Sequence, residues 1–387
     1  MADRHPWWNG LNFRRNFCQL SAFLQLSLHK IRWVSVLVAA VITAGLVYLF
    51  VCSWRTFRSL DALPQVESPD VTEDVLVIVP ARNEEANIAR VVSSFPPGWV
   101  LVVDDDSQDG TAERAIANTA AVIYASPLRP GQNAKSAACA AGAKATQSKW
   151  ILFADADTWY SEEFLASALD YADRAGLDLL SVFPEPVCKS LWECALTPFT
   201  RALFFCSVDT RVLRLPKNSK VLINGQCLLA RRSFYDFVGG HAGIVNKLME
   251  DVALSRVAER HGAKAAIVRA DKLAFARMYP QFLELLRGLA RNSFRLLETR
   301  PEARRRPVLA SILAAAWLPA LGFLAWEDQI VAASVFALVP TVTLWPWYGG
   351  PSAVLAPIGI CLFQPIALWA LLAAVFGAKI SWKDRSI

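Results

Sequence analysis

Several large classes of protein are excluded by what this chain lacks. Its eight cysteines are scattered, with no Cys-x-x-Cys pair and no cysteine–histidine group at zinc spacing. A disulfide framework and a zinc module are therefore not expected, and the thiols read as reduced and structural. No internal repeat or low-complexity tract interrupts the 387 residues. The net charge of +6 is modest, and no basic stripe is interleaved with aromatics, so nucleic acid is not an expected partner. The basic residues gather beside apolar segments instead, where anionic lipid headgroups would meet them.

Apolar surface is what the chain has in excess. A hydrophobic content of 54% and a mean hydropathy of +0.31 are too high for an ordinary soluble protein. Segments 33–54, 308–326, 330–347 and 353–376 each approach the ~20 apolar residues that cross a bilayer core. The third, with Pro340 and Pro346, is the weakest. Trp33, Trp54, Trp317, Trp326, Trp345 and Trp347 lie at or near the segment ends, as interfacial aromatics do. The first segment has no small-residue cleavage site and runs into Arg55 and Arg58, so it reads as a retained anchor. Residues 1–60 thus form an N-terminal extension with an anchor helix, and 307–387 a C-terminal membrane region. Arg14, Arg15, Lys30 and Arg32 precede the first span, while Arg300 and Arg304 to Arg306 precede the second, and one span cannot put both flanks on the same side. The second cluster abuts its span directly, which favours a multi-pass protein of the cell (inner) membrane with its middle portion cytoplasmic. Residues 11–28 then read as a surface or re-entrant element.

That middle portion, 70–280, reads as one α/β domain behind a linker at 61–73. Three strands are continuous apolar runs: Val75-Leu-Val-Ile-Val79, Val100-Leu-Val-Val103 and Trp150-Ile-Leu-Phe-Ala154. Helical stretches alternate with them, which implies a mostly parallel sheet covered on both faces, with ligands beyond the carboxyl ends of its strands. Acids stand at those ends. Asp155-Ala-Asp157 puts two carboxylates on one side of an extended backbone, where they can share Mg2+ or Mn2+ with a diphosphate. Asp104 and Asp105 end the second strand. Asp105 is placed to accept from a base N–H such as uracil offers, and Asp104 to receive backbone amides. Asn83 and Glu84, after Pro80, can frame a nucleoside. Ser107 and Thr111 suit helix capping. Glu250-Asp251 opens a helix, where the dipole favours carboxylates. Asp251 is a candidate general base, and His241 is an alternative or a partner that orients it. Residues 281–300 carry Phe282, Leu285, Leu286, Leu289 and Phe294 between Arg287, Arg291 and Arg295, a pattern for an amphipathic interfacial helix or for one packed on the domain.

Taken together, Val79-Pro-Ala-Arg-Asn-Glu84, Val103-Asp-Asp-Asp-Ser-Gln-Asp-Gly-Thr111, Asp155-Ala-Asp157 and Glu250-Asp251 resemble the family 2 glycosyltransferases with a GT-A fold. Asn224-Gly-Gln226, Arg231-Arg232, Gly239-Gly-His241, Arg287-Gly-Leu-Ala-Arg-Asn292 and Ile380-Ser-Trp-Lys383 are similar to the membrane-anchored branch that contains the hopene-associated and carotenoid glycosyltransferases. The resemblance implies an α/β GT-A domain with transmembrane helices at both ends. It implies that Pro80, Asn83, Glu84, Asp104 and Asp105 hold the nucleoside, that Asp157 with Asp155 holds the metal and donor diphosphate, and that Asp251, with Glu250 or His241, is the catalytic base. Gln226, Arg287, Arg291 and Asn292 would position donor and acceptor. The family's basic element reads Gly131-Gln-Asn-Ala-Lys135 here, which makes Lys135 the phosphate-contacting candidate. The implied activity is inverting transfer from a nucleotide-sugar, UDP-linked by expectation, to the hydroxyl of a hopanoid, carotenoid or polyprenyl lipid. A processive synthase is disfavoured because its Q-x-x-R-W signature is absent. A nucleotidylyltransferase would want a Gly-rich, Arg-containing loop where Pro80 to Glu85 stand. A nucleotide-sugar-binding membrane protein without activity is the non-enzyme alternative.

Overall fold

The computed structural model describes residues 10–67, 71, 74–207, 223–247, 249–297, 301–376, 381–382 and 385–386. Its centre is an eight-stranded sheet of order β1-β10-β7-β9-β5-β2-β3-β4. The strands are β1 (Asp61–Ala62), β2 (Val75–Ala81), β3 (Val100–Asp104), β4 (Ala121–Tyr124), β5 (Trp150–Ala154), β7 (Leu179–Phe183), β9 (Cys227–Arg231) and β10 (Ala265–Arg269). Only β9 runs antiparallel to its neighbours. β3 and β5 are buried at every position, which is why they read as unbroken apolar runs with no alternation. A second sheet joins β6 (Thr158–Tyr160), β11 (Ala274–Ala276) and β8 (Glu185–Pro186), in the order β6-β11-β8.

Within the segment expected as a linker, residues 61–66 join the domain. β1 pairs with β10, Leu63 is buried, and the Val66 amide donates to Ser167 Oγ at 3.1 Å. The anchor is thus stapled to the far edge of the sheet. Packed on β2 and β3, the helix Ala134–Lys144 is capped by Asn133, whose side chain accepts from the Ser136 amide, so Lys135 lies in its first turn.

Among the described residues, four helices are long and apolar enough to cross a membrane: Arg32–Arg58, Arg304–Trp326, Ile330–Tyr348 and Pro351–Ala373. They fall on the four expected spans. The backbone is helical from Gly10 to Arg58, so 11–28 continues the first of them as helix. The third is broken at Leu338, next to Pro340, where the missing amide and the ring interrupt regular bonding.

A fifth helix, Leu191–Ser207, was not expected from the sequence. It lies among the four: Leu196, Phe199, Ala202 and Phe205 are buried with Phe50, Phe57, Trp347 and Phe363 in one core. The helix Phe282–Leu297 joins the same core through Leu285, Leu289 and Ala290. Its buried stripe therefore rests on protein, while Phe282, Leu283 and Arg287 remain exposed.

Candidate active site

The carboxyl ends of β2, β3 and β5 carry the first group of acids. The β3 end is latched to the loop after β2. Asn83, at φ 51°, donates its amide to Ser107 Oγ at 3.0 Å, and its side-chain oxygen accepts from the Gln108 amide at 2.8 Å. The Glu84 amide donates to Thr111 Oγ1 at 2.8 Å, and the Glu85 amide to Asp109. Ser107 and Thr111 therefore hold the neighbouring loop and do not cap the helix Thr111–Ala117, whose N-cap is Gly110 without a side-chain bond. Asp104 is buried and takes the Ser107 amide and hydroxyl, so it shapes its own loop. Asp105 is also buried; its carbonyl accepts from Arg82 Nη1 at 2.6 Å. Arg82 also bonds the Asp106 carbonyl and pairs with its carboxylate. Sequence reading passed over Arg82, although a basic residue between two acid loops is a signal that it could have used. Pro80 sits within β2 opposite Val103.

The second group gathers around Lys135. Its Nζ is 2.6 Å from Asp155, 3.3 Å from Glu250 and 2.8 Å from the Gly225 carbonyl, to which it donates. Burial opposes the charge on Lys135, but Asp155 and Glu250 outweigh it and hold the amine protonated far above the usual range. Gly225 is where these parts meet: a Cβ there would come within 3.2 Å of both Glu250 Oε1 and Lys135 Nζ and 3.5 Å of Asp251 Cβ. Gln226 closes the ring by accepting the Asp155 amide on its carbonyl. Glu250 is buried and paired with Lys135, whereas Asp251 is only half-buried, with Oδ1 on the Val252 amide. His241 lies behind them, buried edge-on against Phe153, with Nδ1 3.0 Å from the Tyr235 hydroxyl. Burial pushes its imidazole down to about 4, so it is neutral at ordinary pH.

The third group surrounds Asp157. The Arg277 amide donates to the Asp157 carbonyl at 3.0 Å. Tyr279, buried, shares hydrogen bonds with Arg291 and Asn292 and lies in the field of Asp157. Two members of the Arg287-to-Asn292 motif thus bear on Tyr279, while Arg287 is exposed. Neither Tyr279 nor Arg277 was picked out from the sequence. The motif Ile380 to Lys383 lies partly outside the described residues.

The metal-binding chemistry can be judged from the donor set. Among the described residues no three His, Cys, Asp or Glu side chains converge on a point. Asp155 and Asp157 alone suit a hard divalent ion that completes its shell with diphosphate oxygens and water, and they do not suit an all-protein cage. Asp155 is engaged by Lys135 at 2.6 Å, and Asp157 stands with it as the second candidate ligand.

Comparison with known proteins agrees with this geometry. Residues 76–237 match the model of Glycosyl transferase family 2. The chain is 28% identical over 211 residues to the 4,4'-diaponeurosporenoate glycosyltransferase of Staphylococcus haemolyticus, covering 52% of this chain and 56% of that protein. It is 24% identical over 292 residues to the protein of the same name from Staphylococcus aureus (strain MRSA252), covering 73% and 75%. It therefore spans little more than half the length of the first of these relatives. A mannosyltransferase from Pyrobaculum calidifontis, solved in complex with GDP-Man and Mn2+, aligns with a TM-score of 0.55 at 17% identity, over 89% of this chain and 99% of that one. That likeness is one of fold. The domain is of the GT-A class. Residues 76–237 are similar to the family 2 glycosyltransferases.

Proposed function

We propose that the protein is a membrane-anchored, inverting glycosyltransferase that moves a sugar from a nucleotide-sugar to the hydroxyl of a membrane lipid. The observation that carries this reading is convergence: the acids at the ends of β3 and β5, the Glu250-Asp251 helix start and the apolar bundle meet at one sheet edge. From the bundle side, the helix Phe282–Leu297 holds Tyr279 through Arg291 and Asn292, in the field of Asp157. Asp105 takes the base and Asp104 holds the loop that presents it. Lys135 faces the diphosphate, exchanging part of its pairing with Asp155 and Glu250 for phosphate oxygens. A divalent cation on Asp157, when bound, supplies charge neutralisation on the leaving nucleoside diphosphate. Asp251 accepts the proton of the acceptor hydroxyl, because it is the half-buried carboxylate of the pair. His241, buried and neutral behind Phe153, supports that wall.

The names of the Staphylococcus relatives support a carotenoid-type acceptor, and the exposed apolar helices support one that stays in the bilayer. Hopanoid and polyprenyl lipids share the chemistry of a greasy body with a polar end. Because nucleotide-sugars are made in the cytosol, the domain is read as cytoplasmic, in agreement with Arg304 to Arg306 before the second span.

The deciding experiment incubates membranes containing the full chain with labelled UDP- and GDP-sugars and extracts the lipids. One labelled lipid per donor is the expected result. A labelled polymer would favour a processive synthase. Tight nucleotide-sugar binding without any labelled product would make the protein a binder without activity.

A further inference from the structure

Ser190-Leu-Trp-Glu193 starts the helix Leu191–Ser207 as a reciprocal cap. The Glu193 amide donates to Ser190 Oγ, and Glu193 Oε2 accepts from the Ser190 amide at 2.7 Å. The same carboxylate does something a cap does not require. Arg277 grips it with both arms of its guanidinium, Nε to Oε1 at 2.8 Å and Nη2 to Oε2 at 3.1 Å. Glu193 is 3% exposed. Burial would lift its carboxyl, but the Arg277 fork and the Ser190 and Lys189 donors outweigh it and hold it down to about 2.

Both ends of this pair lead somewhere. Arg277 follows β11, whose antiparallel ladder with β6 pairs Ala276 with Thr158. The Arg277 amide extends that ladder by one bond, to the Asp157 carbonyl. At the other end, the helix begun by Glu193 is clamped to the apolar bundle. The Tyr348 hydroxyl donates to the Ala195 carbonyl at 2.6 Å, and the Ser53 hydroxyl to the Ala202 carbonyl at 2.6 Å. Hydrogen bonds and one part-buried ion pair thus run from two candidate spans to the backbone of Asp157.

We propose that Glu193 and Arg277 are positioning residues, a strut that sets Asp157 against the membrane bundle so that the donor diphosphate and a bilayer-held acceptor meet in register. The proposal rests on the reading of Asp157 as the metal-binding side of the donor site. Neither residue touches donor or acceptor. They act through the β6–β11 ladder.

The test uses the full chain in nanodiscs with Glu193→Gln and Arg277→Lys. Gln still serves as the third residue of the cap, so Glu193→Gln removes the charged clamp while keeping the helix start. Hydrogen exchange across 155–160 should rise in both variants, with 100–104 unchanged. The Mn2+ concentration that half-saturates UDP or GDP binding should rise by about 10-fold, the scale of losing an outer-shell support of a metal ligand. In an Asp157→Asn background, Glu193→Gln should add no further change. A lowered melting temperature with the Mn2+ midpoint and exchange at 155–160 both unmoved would overturn the strut and leave Glu193 a helix cap. If the parent chain binds neither nucleotide with Mn2+, the functional reading fails on its own. Exchange at 155–160 then still decides whether the strut exists.

Discussion

On the side of β2 and β3, the candidate site is made of short stretches that carry their own partners. On the side of the apolar bundle it is assembled from Asp157, Glu193, Arg277, Tyr279 and Arg291, which the sequence scatters over more than a hundred positions. Asp104 finds Ser107 three residues away, and Asn83 reaches across one loop to Gln108. The first half is held by contacts within and between its own two loops. The other half is tied to the bundle by bonds such as Arg277 to Glu193 and Tyr348 to Ala195. The two halves should therefore respond differently to mutation.

The largest effect is expected where the halves join. Asp157→Asn should reduce labelled-lipid formation in the presence of Mn2+ or Mg2+ by about 10³-fold or more, the scale of losing an electrostatic support of the developing charge. The protein should remain folded, since the neighbouring ladder uses the backbone of residue 157. Transfer that is independent of metal and indifferent to this change would remove Asp157 from the donor site.

Next comes the choice of base. Asp251→Asn should lower kcat by about 10²-fold while leaving nucleotide affinity nearly unchanged, because removing a general base acts on the chemical step. His241→Asn should instead lower thermal stability, by stripping the ring from Phe153 and the partner from Tyr235, with a much smaller change in kcat. The opposite pair of results would move the role to His241.

The same contrast explains what could be read from the chain beforehand. The parallel sheet, the strand-end acids and the four apolar spans are local patterns: continuous apolar runs, abrupt carboxylates, about twenty apolar residues in a row. The helix Leu191–Ser207 escaped because at 17 residues, with Pro198 inside, it looks neither like a span nor like a sheet-covering helix. Its Ser-x-x-Glu start was there to be found. The antiparallel β9 was also missed, since its Cys-Leu-Leu-Ala run gives no direction. No local pattern brings Arg277 to Glu193 across 84 positions; only the closure of β11 on β6 does that. The amphipathic pattern of Phe282–Leu297 was real, but periodicity alone does not say whether lipid or protein covers the apolar stripe, and here buried Leu285 and Leu289 belong to the bundle core.

The smallest expected effect compares one substitution in two helices. Gly288 faces Tyr279 so closely that a Cβ would fall 2.3 Å from Cζ and 2.7 Å from the hydroxyl oxygen. The ring is buried and hydrogen-bonded to Arg291 and Asn292, so it has little freedom to retreat. Gly288→Ala should therefore cost about 1–3 kcal/mol by overpacking, and it should raise the KM for the lipid acceptor by disturbing Tyr279 beside Asp157. Gly322, in the helix Pro301–Trp326, has nothing within 4 Å of its Cβ position. There the same change should be neutral or stabilising by up to about 1 kcal/mol, as Ala replaces Gly in a helix. Thermal melting of the two variants in the same nanodiscs makes the comparison. Equal stability would mean that Tyr279 is not seated on the helix Phe282–Leu297, and the bundle side of the site would lose its connection to the D-x-D loop.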